Sequence, residues 1–270
     1  MITEYNSTFY SEPIIVENLD GEVSVNVLDN LNRESIYSWY NLKTKTTDSD
    51  YINKWILWGL MQPSINKILV LGWWGWAYIK YIEDHFIYAE ITAVDIDPTM
   101  IKIAKEQMQI ETDNLVTWDV VQFTDKLAKK WEKFDLILFD IYGSTGEIPL
   151  HIVKEKLFKN LKKLLYPSGV FSINYANFFL RSHDLIDQER KTKYIAFHKE
   201  LVNIYWEDFI SFLSPDSEGG NVSVSYNLDK SYTISDIKKE YFKKVEFEDI
   251  ESDENLIKDI KLDDKRKFLR

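Results

Sequence analysis

The chain has 270 residues, of which 45% are hydrophobic, so it is long enough for one large globular domain with a sizeable core. A formal net charge of −11 argues against a general nucleic-acid binder, because Lys and Arg would be needed to neutralise phosphates. The absence of cysteine excludes disulfides and thiolate chemistry.

The N-terminal third of the sequence predicts a small β-hairpin layer followed by a helix. Residues 13–18 are rich in apolar and β-branched side chains, and residues 23–28 alternate apolar and polar as a half-buried strand does. A turn is indicated at 19–22. Residues 51–61 then predict a helix that Gln62 and Pro63 end.

From residue 67 onward, apolar runs alternate with helical segments, which is typical of a parallel sheet with helices on both faces. Strands are predicted at 68–71, 91–94, 115–118, 134–139 and 170–174. Helices are predicted at 77–86, 99–109, 121–130, 150–165 and 189–205, with a turn at 167–169. Strands at 206–213 and 221–226 form an antiparallel edge pair. The sequence therefore predicts an α/β fold: a Rossmann-like, mostly parallel, seven-stranded sheet plus the N-terminal hairpin layer.

These patterns divide the chain into three parts. Residues 1–62 form the hairpin layer with its connecting helix, residues 63–245 form the Rossmann-like domain, and residues 246–270 form a charged C-terminal tail. The N-terminus carries early acids and no apolar core, and no apolar run is long enough to span a bilayer. We therefore expect a cytoplasmic protein that contacts neither membrane nor nucleic acid.

The loop after the first parallel strand is the opening of a nucleotide-binding unit. Gly72 and Gly75 would let the backbone approach a ligand closely. Trp73, Trp74 and Trp76 stand where small residues are expected. These indoles either stack on an adenine ring or fill the space of a ligand, and we favour filling because close approach needs small residues.

Acids follow three of the predicted strands, at the edge of the sheet where ligands bind. Asp95 follows the second strand and can accept both hydroxyls of a ribose, whereas Asp97 before Pro98 suits the cap of the next helix. Asp119 follows the third strand and fits either an adenine contact or a helix cap. The sequence thus predicts a nucleoside site between these acids and Gly72.

Asp140 opens a loop with two glycines and several hydroxyls, which suits a segment that closes over a site. Asp140 and Tyr142 of this loop are the candidate catalytic residues, and Asp140 is also a candidate for binding the cofactor. The chain has four histidines, none paired at the spacing of metal ligands, so no metal site is predicted. His151 follows the loop, and we favour a structural or surface role for it.

The order and spacing of these motifs resemble the spermidine synthase family of aminopropyltransferases, within the class of S-adenosylmethionine-dependent enzymes. The resemblance covers about residues 7–175, and the stretch from Asp140 to His151 is most similar to the divergent, spermidine-synthase-like branch. It rests on the hairpin at 13–28, Val70-Leu71-Gly72, Val94-Asp95-Ile96-Asp97-Pro98, the strand 134–139 with Asp140, and Ile148-Pro149-Leu150-His151.

The resemblance implies a function in polyamine biosynthesis and a homodimer. Asp95 would hold the ribose of S-adenosylmethionine or its decarboxylated form, Asp119 would contact adenine, and Asp140 would lie beside the aminopropyl or methionine end. In the family mechanism, a carboxylate in the loop after the fourth strand orients and deprotonates a small-molecule amine, which attacks the carbon next to the sulfonium.

Some positions depart from the family pattern. The second loop aspartate of the family is Gly143 here, and the glycine that usually precedes the adenine-site acid is Trp118. Two alternatives to aminopropyl transfer therefore stay open. One is a non-catalytic relative that acts as a dimeric scaffold, with a tryptophan-filled cofactor pocket. The other is an S-adenosylmethionine-dependent methyltransferase built on the same sheet.

Overall fold

The fold is taken from a computed structural model of the chain. The structure describes residues 1–9, 13–28, 34–47, 64–72, 76–85, 88–142, 149, 151–152, 154–175, 192, 197, 199–201, 203–205, 210–215, 222–227, 235–236, 239 and 260–261. The predicted helix at 51–61 lies outside the described residues. So do Trp73, Trp74 and Gly75 of the nucleotide loop, Gly143, and most of the predicted tail.

The N-terminal layer is a four-stranded antiparallel sheet rather than a single hairpin. Its strands, in spatial order, are β1 (Ile2–Tyr5), β2 (Ile14–Leu19), β3 (Glu22–Leu28) and β4 (Glu34–Asn41). The predicted hairpin is the β2–β3 pair. Asp20 and Gly21 join its strands with φ values of 56° and 94°. Two positive φ values in a two-residue connection match the twist of the flanking strands.

The main sheet is largely parallel, as predicted. Its parallel strands are β5 (Lys67–Leu71), β6 (Glu90–Asp95), β7 (Leu115–Thr117), β8 (Phe134–Phe139) and β9 (Leu165–Tyr175). The predicted antiparallel edge pair is present as β10 (Ile210–Pro215) and β11 (Val222–Asn227), and β11 also pairs with β9. A two-residue strand, β12 (Ile260–Lys261), pairs with β10. The described sheet therefore has eight strands, in the order β12-β10-β11-β9-β8-β5-β6-β7, instead of seven.

Helices cover both faces of this sheet. They are α1 (Trp76–His85), α2 (Pro98–Glu106), α3 (Val120–Lys129) and α4 (Glu155–Leu164). Ile68 and Val70 of β5 face a core cluster that contains α1, α2 and the N-terminal sheet. Leu69 and Leu71 face the opposite cluster with α3 and α4. A continuous apolar run is what a strand buried on both faces requires. None of the described helices is long and apolar enough to cross a membrane.

The N-terminal sheet holds α1 by specific bonds. The amide of Ala77 donates to the Ser38 hydroxyl at 3.0 Å, which satisfies one of the backbone donors that open a helix. The Tyr40 hydroxyl donates to Asp84 at 2.8 Å near the other end of α1. The helix that directly follows the nucleotide loop is thus fixed by residues far away in the sequence.

Some element boundaries differ from the sequence prediction. The turn at Pro167-Ser168-Gly169 lies inside β9, where the register with β8 shifts between Phe134 and Leu136. A turn signal can also mark a bulge, because both need an irregular backbone. The helix predicted from residue 150 begins only at Glu155.

Candidate functional site

A cavity of about 200 Å³ lies at the carboxyl end of the parallel strands, beside Gly72. Here β6 and β7 continue the sheet on one side of β5, and β8 and β9 continue it on the other. Ligands of open α/β sheets bind where successive strands begin to be added on the other side of the first strand. The cavity is lined by Phe9, Gly72, Val94, Asp95, Ile96, Asp97, Trp118, Asp119, Val120, Ile141, Tyr142, Pro149, His151 and Ile152.

Gly72 is required by the backbone of the neighbouring strand. Its φ is +82°, and a Cβ added here would lie 2.3 Å from the backbone oxygen of Asp140. Its amide donates to the Val94 carbonyl at 2.9 Å, and its own carbonyl accepts from the Tyr78 hydroxyl at 2.6 Å. Gly72 therefore makes a close approach within the protein itself, to the backbone of Asp140 directly after β8, whereas its predicted approach to a ligand stays a prediction.

The turn from β6 into α2 carries two acids of the cavity wall, and one of them is also a helix cap. The Asp97 amide donates to Asp95 Oδ1 at 2.7 Å, and the Thr99 amide donates to Asp97 Oδ1 at 2.9 Å. Asp97 is thus the N-cap of α2, and Pro98 is its first residue, as predicted. A carboxylate has about four acceptor positions, so half-buried Asp95 can also accept the two hydroxyls of a ribose.

Asp119 has one of the two roles that the sequence left open, the helix cap, and it also lines the cavity, whereas its adenine contact stays a prediction. Its Oδ1 accepts from the Gln122 amide at 3.0 Å, so it is the N-cap of α3. It also lines the cavity, with Oδ2 3.7 Å from Nε2 of His151. A cap bond to one oxygen leaves acceptor capacity on the carboxylate for an exocyclic amine of a base.

Trp118, next to Asp119, brings an indole to the cavity wall. Its side chain is 37% exposed, its ring lies 6.1 Å from that of Phe123, and Lys126 Nζ lies 4.4 Å from the ring centre. A cation over an indole face is a favourable contact, so Lys126 helps to fix this ring.

Asp140 is buried next to the site. It is 2% exposed, and Asn174 Nδ2 donates to its Oδ1 at 3.0 Å. Burial raises the pKa of Asp140 to about 7, although the bond from Asn174 opposes this shift. Asp140 is not among the described lining residues, whereas Ile141 and Tyr142 are. The Tyr142 hydroxyl donates to the Asn174 carbonyl, so both candidate catalytic residues are tied to one residue of β9.

The tryptophan interpretation is wrong for Trp76. Its side chain is fully buried as the first residue of α1, in the core cluster that includes Val25 and Tyr40 of the N-terminal sheet. It is not among the described residues that line the cavity. Since Trp73 and Trp74 lie outside the described residues, their interpretation stays a prediction.

Sequence reasoning missed Phe9, and it assigned His151 a structural or surface role although His151 lines the cavity. Phe9 follows β1, and no local pattern marks it as part of a site formed mainly by residues beyond position 70. The one available signal for His151 was its position directly after the Asp140 loop.

The charges on the described cavity wall are mostly negative. Asp95, Asp97 and Asp119 contribute carboxyl groups and His151 an imidazole, while the described lining contains neither Lys nor Arg. Such a wall suits a cationic ligand and disfavours a carboxylate, since like charges a few ångströms apart repel.

Comparison with proteins of known sequence finds relatives in two enzyme groups. A polyamine aminopropyltransferase of Vibrio vulnificus is 27% identical over 170 residues, which are 62% of this chain and 52% of the relative. A bovine eEF1A lysine and N-terminal methyltransferase is 29% identical over 117 residues, or 40% of this chain and 17% of the relative. The chain thus spans about half the length of the first relative and a much smaller share of the second.

Solved structures of both groups share the fold. A probable spermidine synthase of Corynebacterium glutamicum has a TM-score of 0.64 at 14% identity, with 90% of this chain and 87% of that chain covered. A spermidine synthase in complex with the transition-state analogue AdoDATO has a TM-score of 0.65 at 14% identity, with 98% and 88% covered. Human methyltransferase-like protein 13 in complex with SAH has a TM-score of 0.52 at 19% identity, with 76% and 96% covered.

A model of the spermine/spermidine synthase domain matches residues 57–218. This match includes the parallel strands, the cavity acids and the Asp140 loop, and it exceeds half of the chain. The chain therefore belongs to the spermine/spermidine synthase domain family.

Proposed function

We propose that the chain transfers an aminopropyl group from decarboxylated S-adenosylmethionine to an amine. The observation that carries the proposal is the acid-lined cavity beside Gly72, whose described wall contains no Lys or Arg. S-adenosylmethionine bears a carboxylate that this wall would repel. Its decarboxylated form keeps the sulfonium and the amine, and both positive charges suit the wall.

The two strand-end acids account for the nucleoside part of the donor. Asp95 accepts the two ribose hydroxyls, and its bond from the Asp97 amide fixes the direction of the carboxylate. Asp119, fixed by its cap bond to α3, accepts from the adenine amine. Hydrogen bonds to charged groups each contribute about 1.5–3 kcal/mol, so two such acids can select an adenosine.

The reaction is a displacement at carbon. The amine nitrogen attacks the carbon next to the sulfonium, the carbon–sulfur bond breaks, and its electron pair leaves with methylthioadenosine. The nitrogen, now a secondary ammonium, then loses a proton and becomes a neutral secondary amine. Asp140 has a pKa of about 7, which suits a proton acceptor at neutral pH. Because Asp140 is outside the described lining, we assign this transfer to a bridging water rather than to direct contact.

Methyl transfer from S-adenosylmethionine is the second candidate. It is favoured by Gly143, which replaces the second loop acid of the aminopropyltransferases and so removes one negative charge from the loop that Asp140 opens. The 29% identity to a methyltransferase over 117 residues points in the same direction. Both candidate reactions use the same contacts to the nucleoside. They differ in the group that is transferred from the sulfonium and in whether the donor carries a carboxylate.

A product assay separates them. The protein is incubated with putrescine or spermidine and with each donor in turn, and the masses of the products are measured by mass spectrometry. We expect an aminopropyl adduct with the decarboxylated donor. A methylated amine with S-adenosylmethionine alone would support the second candidate, and no product with either donor would support the non-catalytic scaffold.

Two matched variants test the site. Asp95→Asn keeps the acceptor for the Asp97 amide but removes the charge, and we expect it to weaken donor binding by roughly tenfold or more. Asp113→Asn makes the same chemical change at an exposed position between α2 and β7, and it should leave binding unchanged. Equal effects of the two variants would contradict the proposed site.

A further inference from the structure

Residues 6–9, which we call the N-terminal strap, lie against the start of α2. The Thr99 hydroxyl donates to the Asn6 carbonyl at 3.2 Å, and the Ser7 hydroxyl donates to Asp97 Oδ2 at 2.5 Å. The Phe9 amide donates to Ser7 Oγ at 2.9 Å. The strap is thus bonded to the turn that leads from β6 into α2, although about ninety residues separate the two in the sequence.

The strap is anchored at the other end of α2 by the last residue of β1. Tyr5 is buried, and its hydroxyl accepts from Gln107 Nε2 at 2.7 Å and donates to Glu106 at 3.1 Å. Lys102 Nζ lies 5.5 Å from the centre of the same ring. Bonds at both ends of α2 set the position at which the chain continues to Phe9.

Phe9 brings the strap into the nucleoside cavity. Its side chain is one of the cavity-lining residues and is 49% exposed. A single exposed phenylalanine is ordinary on a protein surface. This one differs because it forms part of a cavity wall together with Asp95 and Trp118, so a ligand in the cavity would cover its ring.

Ser7 connects the strap to the acid that we assign to the ribose. Asp97 uses Oδ1 to cap α2 and Oδ2 to accept from Ser7, and its amide donates to Asp95 Oδ1. These bonds fix the turn from Asp95 to Asp97 from three sides. Loss of the Ser7 bond would leave a buried carboxylate oxygen with one donor fewer and would loosen the turn that directs Asp95.

We propose that Ser7 and Phe9 of the N-terminal strap belong to the nucleoside site and that the strap closes on its ligand. Phe9 packs against the bound nucleoside, and Ser7 is a positioning residue that holds the Asp95 turn. This inference rests on the proposed nucleoside binding. It adds a contact between Phe9 and the nucleoside, and a coupling between docking of the strap and binding of the ligand. By thermodynamic linkage, the ligand must stabilise the docked strap to the same extent as the docked strap strengthens ligand binding.

Titration of the parent and four variants with methylthioadenosine tests the contact. We expect Phe9→Ala to weaken binding by about tenfold, and Phe9→Leu to recover part of the loss, because an apolar side chain covers the nucleoside again. Ser7→Ala should weaken binding by about fivefold through the loss of one hydrogen bond. Thr8→Ala, at an exposed strap residue, is the matched control and should bind as the parent does.

Hydrogen exchange of the full chain tests the coupling. Methylthioadenosine should slow exchange of the strap amides in the parent and in Thr8→Ala, and this protection should be reduced in Ser7→Ala. Thermal unfolding of each variant without ligand shows whether a loss of affinity merely follows a loss of stability. If the strap is purely structural, its variants change the unfolding temperature and methylthioadenosine does not slow exchange of the strap amides even in the parent, which would overturn the inference.

The two proposals fail in different ways. If the parent protein binds neither methylthioadenosine nor the donors, the proposed function fails and the strap proposal fails with it. If the parent binds and all three strap variants at Phe9 and Ser7 bind equally well, only the strap proposal is wrong.

Discussion

The substitution Gly72→Ala tests the geometry on which the site depends. The new Cβ would lie 2.3 Å from the Asp140 carbonyl oxygen and 2.8 Å from its carbonyl carbon, where at least 3.0 Å is needed. The neighbouring bond from the Asp140 amide to the Leu71 carbonyl, at 2.8 Å, resists the shift that would make room. A left-handed residue with a Cβ costs about 1–2 kcal/mol, and overpacking adds about 1–3 kcal/mol. We therefore expect a loss of about 2–5 kcal/mol in the free energy of unfolding.

Gly21→Ala is the matched control for this substitution. Gly21 also has a positive φ, of 94°, but its added Cβ would meet only the flexible side chain of Lys43, at 3.1 Å. It should therefore cost the backbone term alone, about 1–2 kcal/mol. Urea unfolding of both variants measures the difference, and ligand titration should show weakened binding only for Gly72→Ala. Equal losses of stability would refute the claim that the contact with the Asp140 backbone requires glycine at position 72.

Three further predictions concern the acids and the indole of the site. Burial raises the pKa of Asp140 from 3.8 to about 7, so the folded state binds the proton more tightly than the unfolded state. The free energy of unfolding of the parent therefore falls as the pH rises from about 4 to 7, because Asp140 loses its proton in the unfolded state first. Asp140→Asn should therefore gain stability relative to the parent as the pH rises from 5 to 8, by at most about 3 kcal/mol in urea unfolding, and a pH-independent difference would contradict the burial argument. Asp119→Ala should lose about 1 kcal/mol in the free energy of unfolding and should also bind the nucleoside more weakly. Asp119→Asn should keep the helix cap and lose nucleoside affinity alone. If both variants are equally unstable, the capping role and the binding role of Asp119 are not separable. Saturable quenching of tryptophan fluorescence by methylthioadenosine should diminish in Trp118→Phe but not in Trp131→Phe, since Trp131 is 83% exposed beyond the far end of α3.

The strand–loop–helix units were predictable because their signals are local. The apolar run of β8, the glycine at position 72 and the caps at Asp97 and Asp119 each follow from a few adjacent residues. In a parallel sheet the carboxyl ends of strands share one edge, so local signals also predict that Asp95 and Asp119 meet at one cavity.

The features that the sequence did not predict depend on contacts between distant residues. Phe9 reaches the cavity because Ser7 and Tyr5 bond to α2, and no periodicity encodes those bonds. Trp76 belongs to the core because the N-terminal sheet packs over α1. The eighth strand is two residues long and lies in a charge-dense segment, so its only basis is pairing with β10.

The pKa of Asp140 also depends on contacts between distant residues, so the sequence did not predict it. The sequence placed Asp140 correctly after β8, where an acid suits a ligand site. Its burial and its bond from Asn174 arise from the neighbouring strand β9, and together they decide its pKa. A strand-end acid can thus be predicted from sequence, whereas its protonation state requires the packed structure.

On the proposed function, the acid-lined cavity selects a decarboxylated nucleoside donor over S-adenosylmethionine. The most direct test is the ratio of two dissociation constants, for S-adenosylmethionine and for its decarboxylated form, measured by calorimetry on the parent chain under one set of conditions. The described wall should repel the carboxylate of S-adenosylmethionine by about 1 kcal/mol or more. The decarboxylated donor is therefore expected to bind at least about fivefold more tightly. Equal affinities, or tighter binding of S-adenosylmethionine, would contradict the account.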